Sequence, residues 1–401
     1  MPRSRRRRRF LFALLLVPAL LPALLPGLAA APVVARAEET AAQGRARWTV
    51  MVYMSGDNNL EGWIVRDLER ELGAVGSTAE VQVVALADRG PKRDASRGDW
   101  KGAKLFHVTK GMRATADNAV QRWGERNLGN PNTLIQFVNW SRQHYPADRY
   151  ALVFWGHSWS WHKGYNMEDE TSKDALDPGE LRTALPRLGQ LDFVAYDACN
   201  VAAVETQALW RGHAAAIAHS QEWVDVGGLE YDLILRDLAA DPGMDGPALA
   251  VRASRSAQTA NERTWSAVAL DDRHGRLERA VDVWSQALLA GMPRHRAAYD
   301  RALRRTQHFV QAPMDRDLAD LAAEINREVD DPTIDAAGEE VIAAVAGAVL
   351  DEWHRPQYAD AHGITVFVPV NSTRSASFSR YRKLDFARST HWDEFLRAWR
   401  R

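Results

Sequence analysis

The chain has a single cysteine, Cys199, among 401 residues. One cysteine cannot close an internal disulfide or build a thiolate cluster for zinc, so it is either a packed small hydrophobe or a working thiol. Cys199 follows the apolar run Leu191 to Tyr196 and precedes a helical stretch from Val201 to Trp210. His157 lies 42 positions upstream, just past another apolar run, Tyr150 to Trp155. A thiol, an imidazole that takes its proton or gives one to a leaving amine, and free backbone N–H groups are the parts of nucleophilic acyl transfer. A helix start behind the cysteine would also lower the thiol pKa. Asp197 stands two residues before Cys199, and alternation along extended chain puts the two on one side. A buried acid there needs a positive partner, which a substrate arginine or lysine would supply. The other outcome is that Asp197 pairs within the protein or caps the following helix.

These residues are useful only if the chain brings them together. Trp48 to Met54, Val81 to Ala87, Tyr150 to Trp155 and Leu191 to Tyr196 read as buried strands, and Leu105 to Val108 as a weaker edge strand. Ala214 to His219 and Thr264 to Leu270 are further strand candidates. Helices are expected between them, over Leu60 to Leu72, Thr133 to Gln143 and Gly179 to Leu188, with a polar stretch from Asn166 to Asp177. Strands alternating with helices predict an α/β fold with a mostly parallel sheet covered on both faces. Ligand crevices in such sheets lie beyond the carboxyl ends of the strands, where both His157 and Cys199 fall. After about residue 275 helical periodicity dominates, around Arg276–Ala290, His295–Phe309, Asp317–Val329 and Ala337–Trp353. One late strand, residues 363–368, either returns to the main sheet or builds a small subdomain.

The first residues are a targeting segment. Arg5 to Arg9 precede an apolar run from Phe10 to Leu28, and Ala35-Arg36-Ala37 offers a cleavage site. Residues 1–37 are therefore read as a signal peptide, with 38–47 a linker, 48–274 the catalytic domain and 275–401 a helical C-terminal region. The run is long enough to span a bilayer uncleaved, but Pro18, Pro22 and Pro26 interrupt it. The paired arginines also fit twin-arginine export. Either route places the mature chain in the periplasm or outside the cell, with membrane contact only through the export signal. Elsewhere acids and bases nearly cancel, to a net charge of −1, and 46% of residues are hydrophobic. That excludes a disordered chain and gives no support for nucleic-acid binding. No H-E-x-x-H pattern occurs among the 12 histidines, which argues against a zinc enzyme.

YDACNVAAVE (196–205) resembles the nucleophile segment of caspases and, more closely, that of the clostripain-like cysteine peptidases. The similarity extends in order through WTVMVYMSGDNNLE (48–61), YPADRYALVFWGH (145–157), SQEWVDVGGLEYDLIL (220–235), TWSAVALDD (264–272) and HGITVFVP (362–369). The resemblance implies a caspase-like three-layer sandwich with a largely helical C-terminal region. It implies that His157 and Cys199 form a catalytic dyad cleaving peptide or protein substrates after Arg or Lys. Asp197 would line the pocket for the basic side chain, Ser220 to Asp225 would form its far wall, and Glu222 or Asp225 would be a second acid. The family usually has glycine after the histidine, where its N–H helps form the oxyanion hole with that of Cys199; here the residue is Ser158. The chemistry needs no cofactor. Relatives bind calcium and cut themselves internally. The acidic loop Glu168, Asp169, Glu170 and Asp174 is a conceivable calcium site, although a solvated loop accounts for it better, and Lys163 is a conceivable self-cleavage point.

Two other functions fit parts of the same sequence. Gly156-His157-Ser158-Trp159-Ser160 nearly spells a G-x-S-x-G nucleophile elbow, which would make Ser158 the nucleophile of a serine hydrolase. The altered position after His157 also fits a non-catalytic peptide-binding protein on the same scaffold.

Overall fold

The computed structural model describes residues 45–91, 93–165, 171–310, 312–369 and 376–400. The signal segment therefore lies outside the described residues, as do Glu168, Asp169 and Glu170 of the acidic loop.

Strands β1 (Ala46–Gly56), β2 (Val81–Arg89), β3 (Gly102–His107), β4 (Gln121–Gly124), β5 (Ala147–Trp155), β6 (Leu191–Asp197), β7 (Ala214–His219) and β8 (Thr264–Ala269) belong to one sheet. After β9 (Asp315–Asp317), β10 (Val349–His354) completes that sheet, and β11 (Thr365–Phe367) pairs with β9 alone. The large sheet runs β10-β8-β7-β6-β5-β1-β2-β3-β4. Its centre, from β7 through β6, β5 and β1 to β2, is parallel. The two flanks are antiparallel.

The central strands are apolar on both faces, so alternate residues feed two cores. Met51, Tyr53, Leu152, Phe154, Val194 and Tyr196 pack on one side. Val50, Val52, Val153, Trp155, Phe193 and Ala195 pack on the other. On the first side Phe154 stacks on Tyr196 with centroids 4.7 Å apart, and Trp210 Nε1 donates to the Tyr196 hydroxyl at 2.9 Å. Removing a ring from this cluster would cost about 3–5 kcal/mol. A buried polar bridge crosses the same side: the Gln207 amide contacts His219 at 3.2 Å and His274 at 3.0 Å. It ties helix Val204–Trp210 to β7 and to the long helix Asp272–Arg305.

Several elements differ from the sequence expectations. Leu105 to Val108 is not an edge, because β4 covers β3; four mostly exposed residues carry no alternation by which to recognise β4. The helix expected over Leu60 to Leu72 is α-helical over Glu61–Arg66 and widens to a π-helix over Asp67–Leu72. Arg276–Ala290 and His295–Phe309 are largely one helix, Asp272–Arg305, which carries Pro293 inside it. The helix read as Ala337–Trp353 ends at Ala348, and its tail turns into β10 beside β8. The late strand does not join the main sheet; β11 pairs with β9.

Candidate active site

Trp155 on β5 and Asp197 on β6 are register partners. The residues that follow them, Gly156-His157 and Ala198-Cys199, therefore leave the sheet side by side at its carboxyl edge. Gly156 has φ of 143° and donates its N–H to the Asp197 carbonyl at 3.2 Å, which holds the two chain exits together.

Beyond Cys199 the chain bends sharply. Asn200 adopts a left-handed φ of 58°, a conformation asparagine tolerates better than most residues. Its amide donates to the Gln221 carbonyl at 3.1 Å, and its N–H to the Glu222 carbonyl at 3.1 Å. Val201 and Ala202 then donate to the Ser220 carbonyl, so the helix begins only at Val204. The expected helix start directly behind the thiol is therefore absent.

The thiol is not acidified. Burial, followed by the charges of Asp197, Glu222 and Glu262, pushes Cys199 up to about 11, against one favourable hydrogen bond from Val224. Sγ accepts the Val224 N–H at 3.5 Å and donates to its carbonyl at 3.9 Å. Both contacts are with the wall loop rather than with His157. The His157 ring instead places Nε2 2.6 Å from Asn59 Oδ1. An amide oxygen only accepts, so Nε2 carries the hydrogen and the lone pair of the neutral ring lies on Nδ1.

Asp197 is on the same core face as Trp155, and Cys199 packs against that face, as the alternation predicted. Its Oδ2 accepts from the Tyr231 hydroxyl at 2.7 Å and from Leu229 N–H at 3.3 Å. Gly228 makes this approach possible: its φ is +61°, and a Cβ there would lie 2.5 Å from Asp197 Oδ1. Burial raises Asp197 to about 6. Asp67 lies close by, accepting from Trp155 Nε1 at 2.8 Å, and is raised well above the usual carboxylate range by burial and then by Asp197.

The wall segment 220–225 divides its work. The Ser220 hydroxyl is turned to the Thr264 carbonyl at 2.7 Å and the residue is buried, so it fixes the loop. The Glu222 carboxylate accepts Trp223 N–H at 2.9 Å and Val310 N–H at 2.7 Å. Asp225 is salt-bridged to Arg263 at 2.6 Å and to Arg355 at 3.3 Å. Glu262 accepts the Asp225 N–H at 3.0 Å, and burial followed by Asp197 and Asp225 raises it to about 8. Sequence reasoning missed Asn59, Asp67, Tyr231 and Glu262. Asn59 and Tyr231 lay inside matched segments, but nothing in their spacing marked a role.

Ser158 is nearly buried and stays out of the left-handed region, so its Cβ costs no backbone strain; that strain sits at Ser160, with φ of 53°. Its hydroxyl accepts the Ser160 N–H at 3.0 Å. Only a single helical turn, Ser160–Lys163, follows, so the strand-turn-helix of a nucleophile elbow is not formed. The backbone N–H groups of Ser158 and Cys199 are used by no hydrogen bond among the described residues. Lys163 ends that helical turn, with its ammonium 4.3 Å from the Trp159 ring centroid. Asp174 is engaged by Asn127 at 2.7 Å and by Ala175 N–H at 3.0 Å. Among the described residues the carboxylates that converge are Glu71, Glu230 and Asp232, where Arg66 already pairs with Glu71.

A mixed, mostly parallel sheet with helices on both faces, carrying a cysteine and a histidine at the ends of adjacent strands, defines the α/β class to which the protein belongs. Residues 52–399 match the model of the Clostripain family, and the chain belongs to that family. Over 225 residues it is 25% identical to clostripain of Hathewaya histolytica, a match that takes in 49% of this chain and 43% of the relative. The fold resembles an inactive zymogen of a C11 protease from Parabacteroides distasonis, with TM-score 0.64, 18% identity, 86% of this chain and 99% of that one. It also resembles a secreted C11 cysteine protease from Bacteroides thetaiotaomicron in complex with an irreversible peptide inhibitor, with TM-score 0.65, 16% identity, 87% of this chain and 100% of that one.

Proposed function

We propose that the protein is an exported cysteine endopeptidase in which Cys199 attacks and His157 moves the proton, cutting after arginine or lysine. The observation that carries this is the register pairing of Trp155 with Asp197, from which the chain leads to His157 and Cys199 at the same edge of the sheet. Family membership supports the same chemistry.

The Cys199 sulfur adds to the carbonyl carbon of the scissile bond as its proton passes to His157. The oxygen of the tetrahedral adduct takes the unused N–H groups of Ser158 and Cys199. His157 returns the proton to the departing amine, leaving a thioester on Cys199, and water then releases the acid and regenerates the thiol. Asn59 orients the ring, and Asp197 receives the charge of the residue before the cut. No cofactor takes part in these steps. Calcium binding and self-cleavage carry no support from the described residues. Export rests on the arginine-rich apolar leader and on the secreted Bacteroides relative. No helix among the described residues is long and apolar enough to cross a membrane.

The test uses fluorogenic peptides ending in Arg, Lys, Asp or Gln with the parent protein, Cys199→Ala and His157→Ala. Cleavage after Arg and Lys that falls at least about a thousandfold in both variants is expected. Equal activity in Cys199→Ala, or a loss to a serine-directed phosphonate but not to iodoacetamide, would overturn the assignment.

A further inference from the structure

We infer that Glu262, two residues before β8, is a second carboxylate of the pocket that receives the positively charged side chain. The inference rests on the specificity proposed above and extends it to a residue outside every motif that carries the sequence resemblance.

Charge pairing around the wall loop singles Glu262 out. Asp197, Glu222 and Glu262 all act on the Cys199 thiol, and Glu262 holds the N–H of Asp225, next to the Val224 backbone that grips that thiol. Glu222 has both oxygens taken up, by the N–H groups of Trp223 and Val310. The cations at this wall are Arg263 and Arg355, and both bind the Asp225 carboxylate. Arg66, behind Asp197, is held by Asp67 and Glu71, each at 3.0 Å. Asp225 is thereby neutralised and unsuited to be the second acid. Asp197 and Glu262 have hydrogen-bond donors but no salt-bridge partner among the described residues: Asp197 has Tyr231 and Leu229, and Glu262 has the Asp225 N–H.

In both residues only one oxygen is engaged. Asp197 Oδ1 and Glu262 Oε1 accept from no described residue. Glu262 is only 2% exposed; Arg263 beside it favours the ionised form, but burial together with Asp197 and Asp225 outweighs that and pushes it towards its neutral form. Glu262 Oε2 takes the N–H of Asp225 and Cys199 Sγ takes that of Val224, so the carboxylate and the thiol are held by neighbouring residues of one wall loop; Asp197 raises the pKa of Glu262, and both raise that of Cys199. A guanidinium carries five N–H donors in a plane, more than one carboxylate can accept. A pocket with one acid on the β6 side and another on the β8 side matches that inventory. Entry of the cation favours both ionised forms, so affinity for a cationic occupant rises with pH up to about 8, where Glu262 titrates.

The test compares Glu262→Gln with Asp197→Asn and the parent, since the glutamine keeps the acceptor for Asp225 N–H and loses only the charge. Agmatine, an alkyl guanidinium, is titrated by calorimetry from pH 6 to 9, and kcat/KM is measured for matched peptides ending in arginine or its neutral isostere citrulline. Thermal unfolding confirms that each variant folds. The expected result is agmatine binding at least tenfold weaker in Glu262→Gln at pH 8.5, with the pH dependence near 8 lost and the arginine-to-citrulline ratio reduced at least tenfold. A merely structural Glu262 would leave binding, pH profile and ratio as in the parent, and that result overturns the inference. If Asp197→Asn alone abolishes binding, the basic-residue specificity stands and only Glu262 is dismissed. If the parent neither binds agmatine nor cleaves after arginine, the specificity and the inference fall together.

Discussion

The Tyr231 hydroxyl donates to Asp197 at 2.7 Å, a bond between the helix that starts at Tyr231 and the last residue of β6. The bond favours the ionised carboxylate against a burial that raises it to about 6. Tyr231→Phe removes it, so Asp197 should hold its proton to higher pH. The acidic limb of kcat/KM for an arginine substrate is expected to move up by about one pH unit, with a roughly tenfold loss at pH 6 and little change at pH 9. A pH–rate profile checks this.

Asn59 fixes the hydrogen on His157 Nε2 from a turn after β1. Asn59→Ala removes the acceptor that holds the hydrogen on Nε2. A fall in kcat of about ten- to a hundredfold is expected, with KM nearly unchanged, because the effect is on proton transfer. A comparable rise in KM instead would show that Asn59 binds substrate.

Ser158 stands where the sequence resemblance implies glycine, yet its backbone needs no positive φ. Ser158→Gly is expected to change kcat/KM by less than about threefold, because the N–H is already in place. A gain of tenfold or more would mean that the Cβ obstructs the oxyanion site.

The thiol raised to about 11 makes a kinetic forecast. Alkylation of the free enzyme by iodoacetamide should climb about tenfold per pH unit between pH 7 and 10 without a plateau, since only the thiolate reacts. A plateau near neutrality would require an ion pair with His157 already formed in the empty site.

Glu205 tests the fold rather than the site. It lines a cavity of about 430 Å³, and its Oε1 accepts from Phe367 N–H and Tyr381 while Oε2 is buried without a partner. Burial, then Asp315, raises it from 4.5 to about 7. A raised carboxylate contributes stability that is complete below its unfolded pKa and is lost as pH rises through its folded one. Between pH 5 and 8, Glu205→Gln should therefore gain on the parent by up to about 3 kcal/mol. Urea unfolding at the two pH values measures the difference.

The central strands were legible because full burial on both faces leaves continuous apolar runs, as in Trp48 to Met54 and Tyr150 to Trp155. β10 was hidden by the alanine-rich helix Pro332–Ala348, whose apolar composition flows into it without a break. The Cys199 and His157 positions could be read from strand ends alone. Their electrostatics could not: Asp225 is neutralised by Arg355, 130 positions away, and Glu262 reaches the same wall from the residues before β8. Long-range pairing of that kind leaves no trace in local spacing. The helix start expected to acidify the thiol failed because Val201 and Ala202 spend their N–H groups on Ser220.

The acids around Cys199 have a consequence for durability. If the protein is exported as proposed, it meets oxidants without the reducing pool of the cytoplasm, and it has no second cysteine to rescue a sulfenic acid as a disulfide. Oxidants attack thiolates, so keeping the sulfur protonated while the pocket is empty slows irreversible damage. A cationic side chain that enters beside Asp197 offsets the same negative field. Under the proposed mechanism the thiol is thus armed by its own substrate and dormant between meals.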